Sequence, residues 1–370
     1  MPVKPFHLPL LPAARSPALP ESPDGLEHAA LATLAGLDGM LNVTRQARLF
    51  REMWLLKEAL CSSAIEGYAA ELEDVLAVQA GLSVPDESEA TRHVLNCRRT
   101  LRLGLEAMTQ GEKISLSLIK RLHREILADC PYEVITPGEW RKIPVHIGLR
   151  GLPREKAVYN APLPGELHGL LDNWIGFLDR ADISPVIAAA ILHAQFEMIH
   201  PFADGNGRLG RALITLVLSQ KGLGHGSWFG LSPSLLDNRE EYFRRLALIS
   251  QTGNWEPWLA FFLTCIIRQC EHLTAQRERM LTLYTECTGT LAAALNSAMA
   301  PATLDFLFTS PVFTISAFIR TAGVNRPLAA QLTDKLLDAG VIEQIHPGRG
   351  RRPALYRFPE LLDLLSSADA

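Results

Sequence analysis

From Gly25 onward the apolar residues of this chain recur at three- and four-residue spacing, and that period constrains the fold more than any other feature. In residues 45–61 it puts Leu49, Met53, Leu56 and Leu60 on one face of a long amphipathic helix. The same pattern predicts helices over residues 69–80, 89–108, 115–128, 164–178, 185–198, 207–221, 239–251 and 255–295. A chain of 370 residues at this period is a mainly α protein of two or three domains. Its 48% hydrophobic and 21% charged content is that of an ordinary globular core. Thirty-six basic against 40 acidic residues give a net charge of -4, which speaks against nucleic acid spread over the whole surface. The longest apolar run, residues 257–267, is far short of a membrane span. One Lys before Pro-broken apolar residues does not make a secretory signal, so the expected location is cytoplasmic, with no membrane partner.

Three regions depart from the helical period. Residues 1–23 hold seven prolines and read as an extended arm. Val145, His146, Ile147 and Gly148, with a partner run near Val158 across a Gly-, Pro- and charge-rich loop, read as a β-hairpin. Past residue 300, three short helices (303–308, 314–321 and 326–338) lead to a two-stranded wing, 341–345 and 354–358, with Arg349, Arg351 and Arg352 at its tip. That order resembles a winged helix. From Pro311 on, seven basic residues face six acidic ones, so only the wing tip is basic and contact with nucleic acid is left open there alone. The six cysteines form no Cys-x-x-Cys pair and read as buried, reduced thiols.

Chemistry concentrates in His200-Pro201-Phe202-Ala203-Asp204-Gly205-Asn206-Gly207-Arg208-Leu209-Gly210-Arg211. Asp204 to Gly207 is a turn that delivers the chain into a helix N-terminus, where unpaired N–H groups and the helix dipole favour an anion. Arg208 and Arg211, three apart, lie on one side of the first turns and can fork onto phosphate oxygens. Asp204 is a hard oxygen ligand suited to Mg²⁺ shared with phosphates. His200 has the ordinary pKa of a general base at neutral pH. A lone His, a lone turn or two spaced arginines would each be unremarkable structure. A base, a metal ligand, an anion nest and two forks within twelve residues are not explained that way.

The segment matches the Fic-family signature H-x-F-x-(D/E)-G-N-G-R-x-x-R at all eight specified positions, so the chain is identified as resembling that family over roughly residues 1–295. The resemblance implies a Fic-type helical bundle with a small β-hairpin flap and transfer of AMP from ATP to a protein hydroxyl. It implies that His200 deprotonates the target hydroxyl and that Asp204 holds Mg²⁺ on the α- and β-phosphates. Gly205, Asn206 and Gly207 belong to the nucleotide site, with Asn206 and Gly207 contributing to the anion hole. Arg208 would meet the γ-phosphate, Arg211 the phosphates further in, and Phe202 would anchor the loop. Family members that use ATP as a phosphate donor depart from Gly205-Asn206-Gly207, which favours nucleotidyl transfer here.

Val145–Gly148 sits where the family places the flap that registers a target segment. Asn238 and Tyr242 fall in a segment that resembles the one lining the adenine pocket in the family, with a helix cap and a core aromatic as the alternative readings. Ser62, Glu66 and Gly67 fit the family's inhibitory motif (S/T)-x-x-x-E-(G/N), N-terminal to the core as in class II, with Glu66 expected to pair with Arg208. The expected organisation is an arm over 1–23, an N-terminal helical region over 24–110, a catalytic core over 111–295 and the winged-helix-like unit over 300–370. The expected partners are ATP and a protein target, with self-modification and pairing of two copies left open. Removal of AMP by the same site, or a nucleotide-sensing DNA-binding regulator, stand as alternatives.

Overall fold

The computed structural model describes residues 7–12, 25–42, 46–81, 88–130, 135–147, 159–223, 229–350 and 353–366. The first helices are α1 (Leu26–Asn42), α2 (Ala47–Ile65), α3 (Leu72–Gln79), α4 (Glu89–Thr109) and α5 (Leu116–Ile126). A two-stranded hairpin follows, β1 (His146–Ile147) and β2 (Tyr159–Asn160), and then α6 (Leu167–Leu178), α7 (Pro185–Ile199) and α8 (Asn206–Gln220). The body closes with α9 (Ser232–Asp237), α10 (Arg239–Thr252) and the 40-residue α11 (Glu256–Leu295).

Helix α7 is the axis of the body. Every residue from Val186 to Ile199 is buried, as expected of a helix apolar all round, and α1, α6, α8 and α11 pack against it. Ala188, Ala189, Ala190 and Ala194 keep its surface slim enough for four neighbours. The side chains of Ser88 and Ser115 accept from Thr91 N and Leu118 N, so α4 and α5 begin on caps worth about 1 kcal/mol each.

Residues 7–12 of the arm lie along the body. Leu8 and Leu11 are buried, Asn173 exchanges two hydrogen bonds with the Leu11 backbone, and Gln195 and Arg180 donate to the carbonyls of Pro9 and Pro12. Side chains thus satisfy a backbone that its prolines keep out of regular structure.

The hairpin strands are shorter and later than the sequence predicts: His146 faces Asn160 and Ile147 faces Tyr159, while Gly148 and Val158 lie outside the described residues. Helix α2 runs four residues past the expected end at Cys61, carrying Ser62 into its last turn. Beyond α11 come α12 (Ala300–Thr309), β3 (Val312–Phe313), α13 (Ile315–Ala322), α14 (Arg326–Asp338), β4 (Glu343–His346), β5 (Leu355–Arg357) and α15 (Pro359–Ser366). The tail's sheet has three antiparallel strands in the order β3-β5-β4, where the sequence predicts two. Strand β3 is two residues long, too short for alternation to reveal it. This tail shares the apolar core of the body, with Phe308 against Phe50, and Arg357 pairs with Glu73 at 2.9 Å. Arg351 and Arg352 lie outside the described residues.

Five of the six thiols are buried and Cys130 is half-buried; burial pushes Cys61 up to about 12 and Cys97 up to about 11, which keeps them inert. Among the described residues no helix is long and apolar enough to cross a membrane.

Candidate active site

Helix α7 ends at His200, which adopts a left-handed conformation (φ 48°, ψ 60°) and turns the chain into the loop. The loop is closed locally. Phe202 N donates to Asn206 Oδ1 and Asn206 Nδ2 donates back to Phe202 O, both at 2.9 Å. The Asn206 side chain is therefore engaged in closing the loop, and its backbone N–H, without an intrahelical acceptor, is left to serve the anion hole expected of it. Gly205 caps α8 at φ 78°, a conformation glycine adopts without penalty. The N–H groups of Asn206, Gly207 and Arg208 then open α8 without intrahelical acceptors.

Phe202 is fully buried and stacks on His123, ring centroids 3.6 Å apart and 4° from parallel. Gly138 N donates to His123 Nδ1 at 2.8 Å, so Nε2 carries the proton and donates to Asp204 O at 2.9 Å. Burial lowers the His123 pKa to about 4, which keeps this orienting ring neutral. Sequence reasoning missed His123, a lone histidine in a helical pattern 81 residues from the carbonyl it holds.

His200 Nδ1 lies 3.3 Å from Glu197 O and takes the donor role, leaving the Nε2 lone pair to accept a proton. Burial lowers its pKa to about 4, the nearby Arg141 charge adding to the effect, so the imidazole is in its accepting form throughout the neutral range. The Asp204 side chain is 41% exposed, with Oδ1 accepting from Gly205 N at 2.6 Å.

The two arginines face different neighbours. Arg208 is sealed beneath Tyr68, its guanidinium 5.3 Å from the ring centroid, and donates to His93 Nδ1 on α4. Arg211, one turn on, faces the end of α2. It donates to Ser62 Oγ at 3.0 Å, Ser62 O at 2.7 Å and Glu66 Oε1 at 2.8 Å. Glu66 thus pairs with Arg211 and not with the expected Arg208, because α4 already occupies Arg208's side of the helix. Burial alone would lower the Arg211 pKa; Glu66, with Tyr242 and Glu197, holds it above its ordinary value.

The Glu66-Gly67 step is a helix stop. Tyr68 N bonds to Ser63 O and Gly67 N to Ala64 O, the Schellman pattern, with Gly67 at φ 91°. Arg239 Nε ties Ile65 O at 2.9 Å. This geometry sets the Glu66 carboxylate on the α8 N-terminus, so close that a Cβ on Gly207 would lie 2.1 Å from Glu66 Oε1.

The adenine-pocket residues fare differently from one another. Tyr242 is 1% exposed, with its hydroxyl 3.0 Å from His193 Nε2 and its ring against Trp258, so it is a core aromatic with no face to offer a purine. Asn238 is half-buried between α9 and α10 and its amide donates to Ser234 O, as a helix-end residue does. On the opposite side of the loop, His146 is exposed on β1 and Ile147 and Val145 are half-buried. Arg141, also missed from sequence, bonds the His200 carbonyl at 2.7 Å.

Two family profiles match the chain: the Fic/DOC family over residues 113–218 and the Fic/DOC family N-terminal region over residues 26–106. Protein adenylyltransferase fic-1 of Caenorhabditis elegans is 26% identical over 231 residues, 59% of this chain and 41% of that protein. Protein adenylyltransferase Fic of Drosophila grimshawi is 27% identical over 239 residues, 62% of this chain and 44% of that one. The chain thus spans less than half the length of these curated relatives. Among solved structures, a Fic family protein from Desulfovibrio desulfuricans G20 shares the fold at a TM-score of 0.58 and 22% identity, covering 92% of this chain and 97% of that one. Fic-1 of C. elegans does so at a TM-score of 0.52 and 21% identity, over 68% and 73%. With both profiles laid end to end across the helices that carry Glu66, His200 and Arg211, the chain belongs to the Fic/DOC family.

Proposed function

We propose that this chain is a self-inhibited protein adenylyltransferase, moving AMP from ATP to a Ser, Thr or Tyr hydroxyl of a protein. The observation that carries the reading is the Glu66 carboxylate lying on the α8 N-terminus in an ion pair with Arg211. An anion nest with two buried arginines suits a polyphosphate, and a carboxylate standing in it is a competitor for that phosphate charge.

In the working reaction the target O–H gives its proton to His200 Nε2 while its oxygen bonds the α-phosphorus. The bond from that phosphorus to the β-bridging oxygen breaks, and pyrophosphate leaves in line. The N–H groups of Asn206 and Gly207 and the Arg211 guanidinium offset the developing charge. Arg208, held by His93 and Tyr68, adds a fixed positive charge behind the nest.

The donors fit a magnesium ion that reaches the site with the nucleotide. Among the described residues no cluster of three metal-ligating side chains exists, and a partly exposed Asp204 beside the nest is the one carboxylate such an ion needs when phosphates and water complete its shell. Bound there, Mg²⁺ would screen phosphate charge. Asn238 remains a candidate for base or ribose contact. The helix–strand–helix–helix–strand–strand order of residues 300–357, followed by α15, supports reading the tail as a winged helix that docks on the body.

The test uses wild type, Glu66→Gly and Glu66→Gly/His200→Ala with Mg²⁺ and α-labelled ATP, scoring label on the protein itself. Label should rise in Glu66→Gly and fall by about 10²–10⁴-fold when His200 is also removed. Equal label on wild type and Glu66→Gly would remove Glu66 from the inhibitory role.

A further inference from the structure

The end of α7 leaves carbonyls that no helical N–H can reach. Four consecutive carbonyls, from Met198 in the last turn of α7 to Pro201 just past it, are taken by Arg141 before the hairpin and Tyr159 in its second strand. Tyr159 Oη donates to Met198 O at 2.8 Å. Arg141 Nη2 reaches Ile199 O at 3.3 Å, Arg141 Nε reaches His200 O at 2.7 Å, and Arg141 N reaches Pro201 O at 3.0 Å. The same guanidinium also donates to Pro162 O at 2.6 Å and Ile143 O at 3.3 Å, just outside the two strands. Ala161 N closes the hairpin onto Val145 O at 3.2 Å.

Arg141 is 4% exposed, and among the described residues no carboxylate lies within ion-pair distance of it. A buried guanidinium without a carboxylate is costly unless its donors are filled. Here the Ile199 and His200 carbonyls at the negative end of the α7 dipole, with those of Pro162 and Ile143 beside the hairpin, fill them. Burial accordingly lowers the Arg141 pKa to about 10.

We infer that Arg141, seconded by Tyr159, is a positioning residue that locks the hairpin and His200 into one rigid unit. The inference rests on the adenylyltransferase reading and deepens it. A target segment paired on β1 is thereby registered against His200 Nε2, because strand and base hang from the same guanidinium. The left-handed His200 backbone, strained for a non-glycine residue, is held by the two bonds on its own and the following carbonyl. Lysine cannot replace this fork: its single nitrogen keeps the charge but cannot span carbonyls on both sides of the hairpin and on the loop.

The experiment places Arg141→Lys, Arg141→Gln and Tyr159→Phe in the full-length Glu66→Gly chain. Self-labelling from α-labelled ATP gives kcat and the KM for ATP; titration calorimetry with α,β-methylene-ATP gives nucleotide affinity. Thermal midpoints report folding, and ¹⁵N spectra of the His200 ring report its tautomer. The expected result is a kcat loss of about a hundredfold in both Arg141 variants and about tenfold in Tyr159→Phe, with KM and nucleotide affinity within about twofold. The Nδ1-protonated signature of His200 should weaken in parallel. A kcat unchanged in Tyr159→Phe and Arg141→Lys, or one that falls only with the folded fraction, overturns the inference. Absence of label in Glu66→Gly itself defeats the parent reading alone, and the His200 ring spectra then decide: an unaltered tautomer in folded Arg141→Lys and Tyr159→Phe also overturns it.

Discussion

Arg141 and Arg211 are both buried, and each serves one end of the catalytic loop, yet their charges are met in opposite ways. Arg211 is held by a carboxylate at the tip of another helix, with its pKa raised; Arg141 is held by carbonyls of the backbone it organises, with its pKa lowered to about 10. A carboxylate on a helix stop can be displaced by a phosphate of greater charge. Backbone carbonyls cannot leave without unfolding the loop. Under the proposed function, the nucleotide side of the site is then a switch and the hydroxyl side a fixture.

The largest effect that sharpens this division is on nucleotide binding. Arg211→Met in the Glu66→Gly background removes charged hydrogen bonds worth about 1.5–3 kcal/mol, so ATP should bind about ten- to a hundredfold more weakly. Arg141→Lys should leave that affinity within about twofold. Calorimetric titration of both variants checks the pair, and equal losses would erase the distinction between switch and fixture.

A smaller effect concerns how firmly the switch is closed. Ser62 Oγ supplies one of the three bonds that draw Arg211 toward the end of α2, the others coming from the Ser62 carbonyl and Glu66 Oε1. Losing it in Ser62→Ala removes about 1 kcal/mol from the closed state, about fivefold in its population. Self-labelling of otherwise wild-type protein should rise by about that factor, well below the gain from Glu66→Gly. A decrease would mean that Ser62 supports the active arrangement instead.

The two sides also differ in how far they could be read from sequence. The loop was legible because its closure is local: Phe202 and Asn206 are four residues apart, and the helix start follows from Gly205. The motif at Ser62–Gly67 was legible as a local pattern that resembles the family's inhibitory motif, although the helix that carries Ser62 runs four residues past its expected end. What lay out of reach was long-range. Glu66 meets Arg211 across 145 residues, Arg208 meets His93 across 115, and Arg141 meets His200 across 59. Choosing between Arg208 and Arg211 required the rotation of α8 about its axis, which three-residue spacing leaves undetermined. Tyr242 shows the same limit, because a tyrosine on an amphipathic helix reads alike whether it faces a pocket or His193.

The smallest effect on activity belongs to pH, which acts on stability and separates the sides again through the carboxyl groups gathered near Arg211. Glu58 is fully buried under Ser232, its Oε2 accepting from Ser232 N at 2.8 Å, and burial pushes its pKa up to about 7 against those hydrogen bonds. Glu197 is likewise raised by burial to about 8. A carboxyl whose folded pKa is raised keeps a proton that the unfolded chain gives up near 4.5. Its contribution is full below that value and is lost as pH rises through 7 and 8. Buried imidazoles run the other way: His93, His123 and His200 fall to about 4 and His193 to about 3, all chiefly through burial. Their contribution is full above about 6.5 and is lost as pH falls toward 4. Between pH 6.5 and 8, of these shifted groups only the carboxyls still differ in protonation between the folded and unfolded chain, so their contribution to stability should decline with rising pH across that window. Glu58→Gln keeps an acceptor for Ser232 N and adds a donor for Ser232 Oγ without the proton. It should flatten the decline and raise the urea midpoint at pH 8 relative to wild type. Parallel slopes in the two proteins would mean that Glu58 holds its charge in the folded state and that Arg211 is matched by two carboxylates, leaving the switch less free to open than a single ion pair with Glu66 allows.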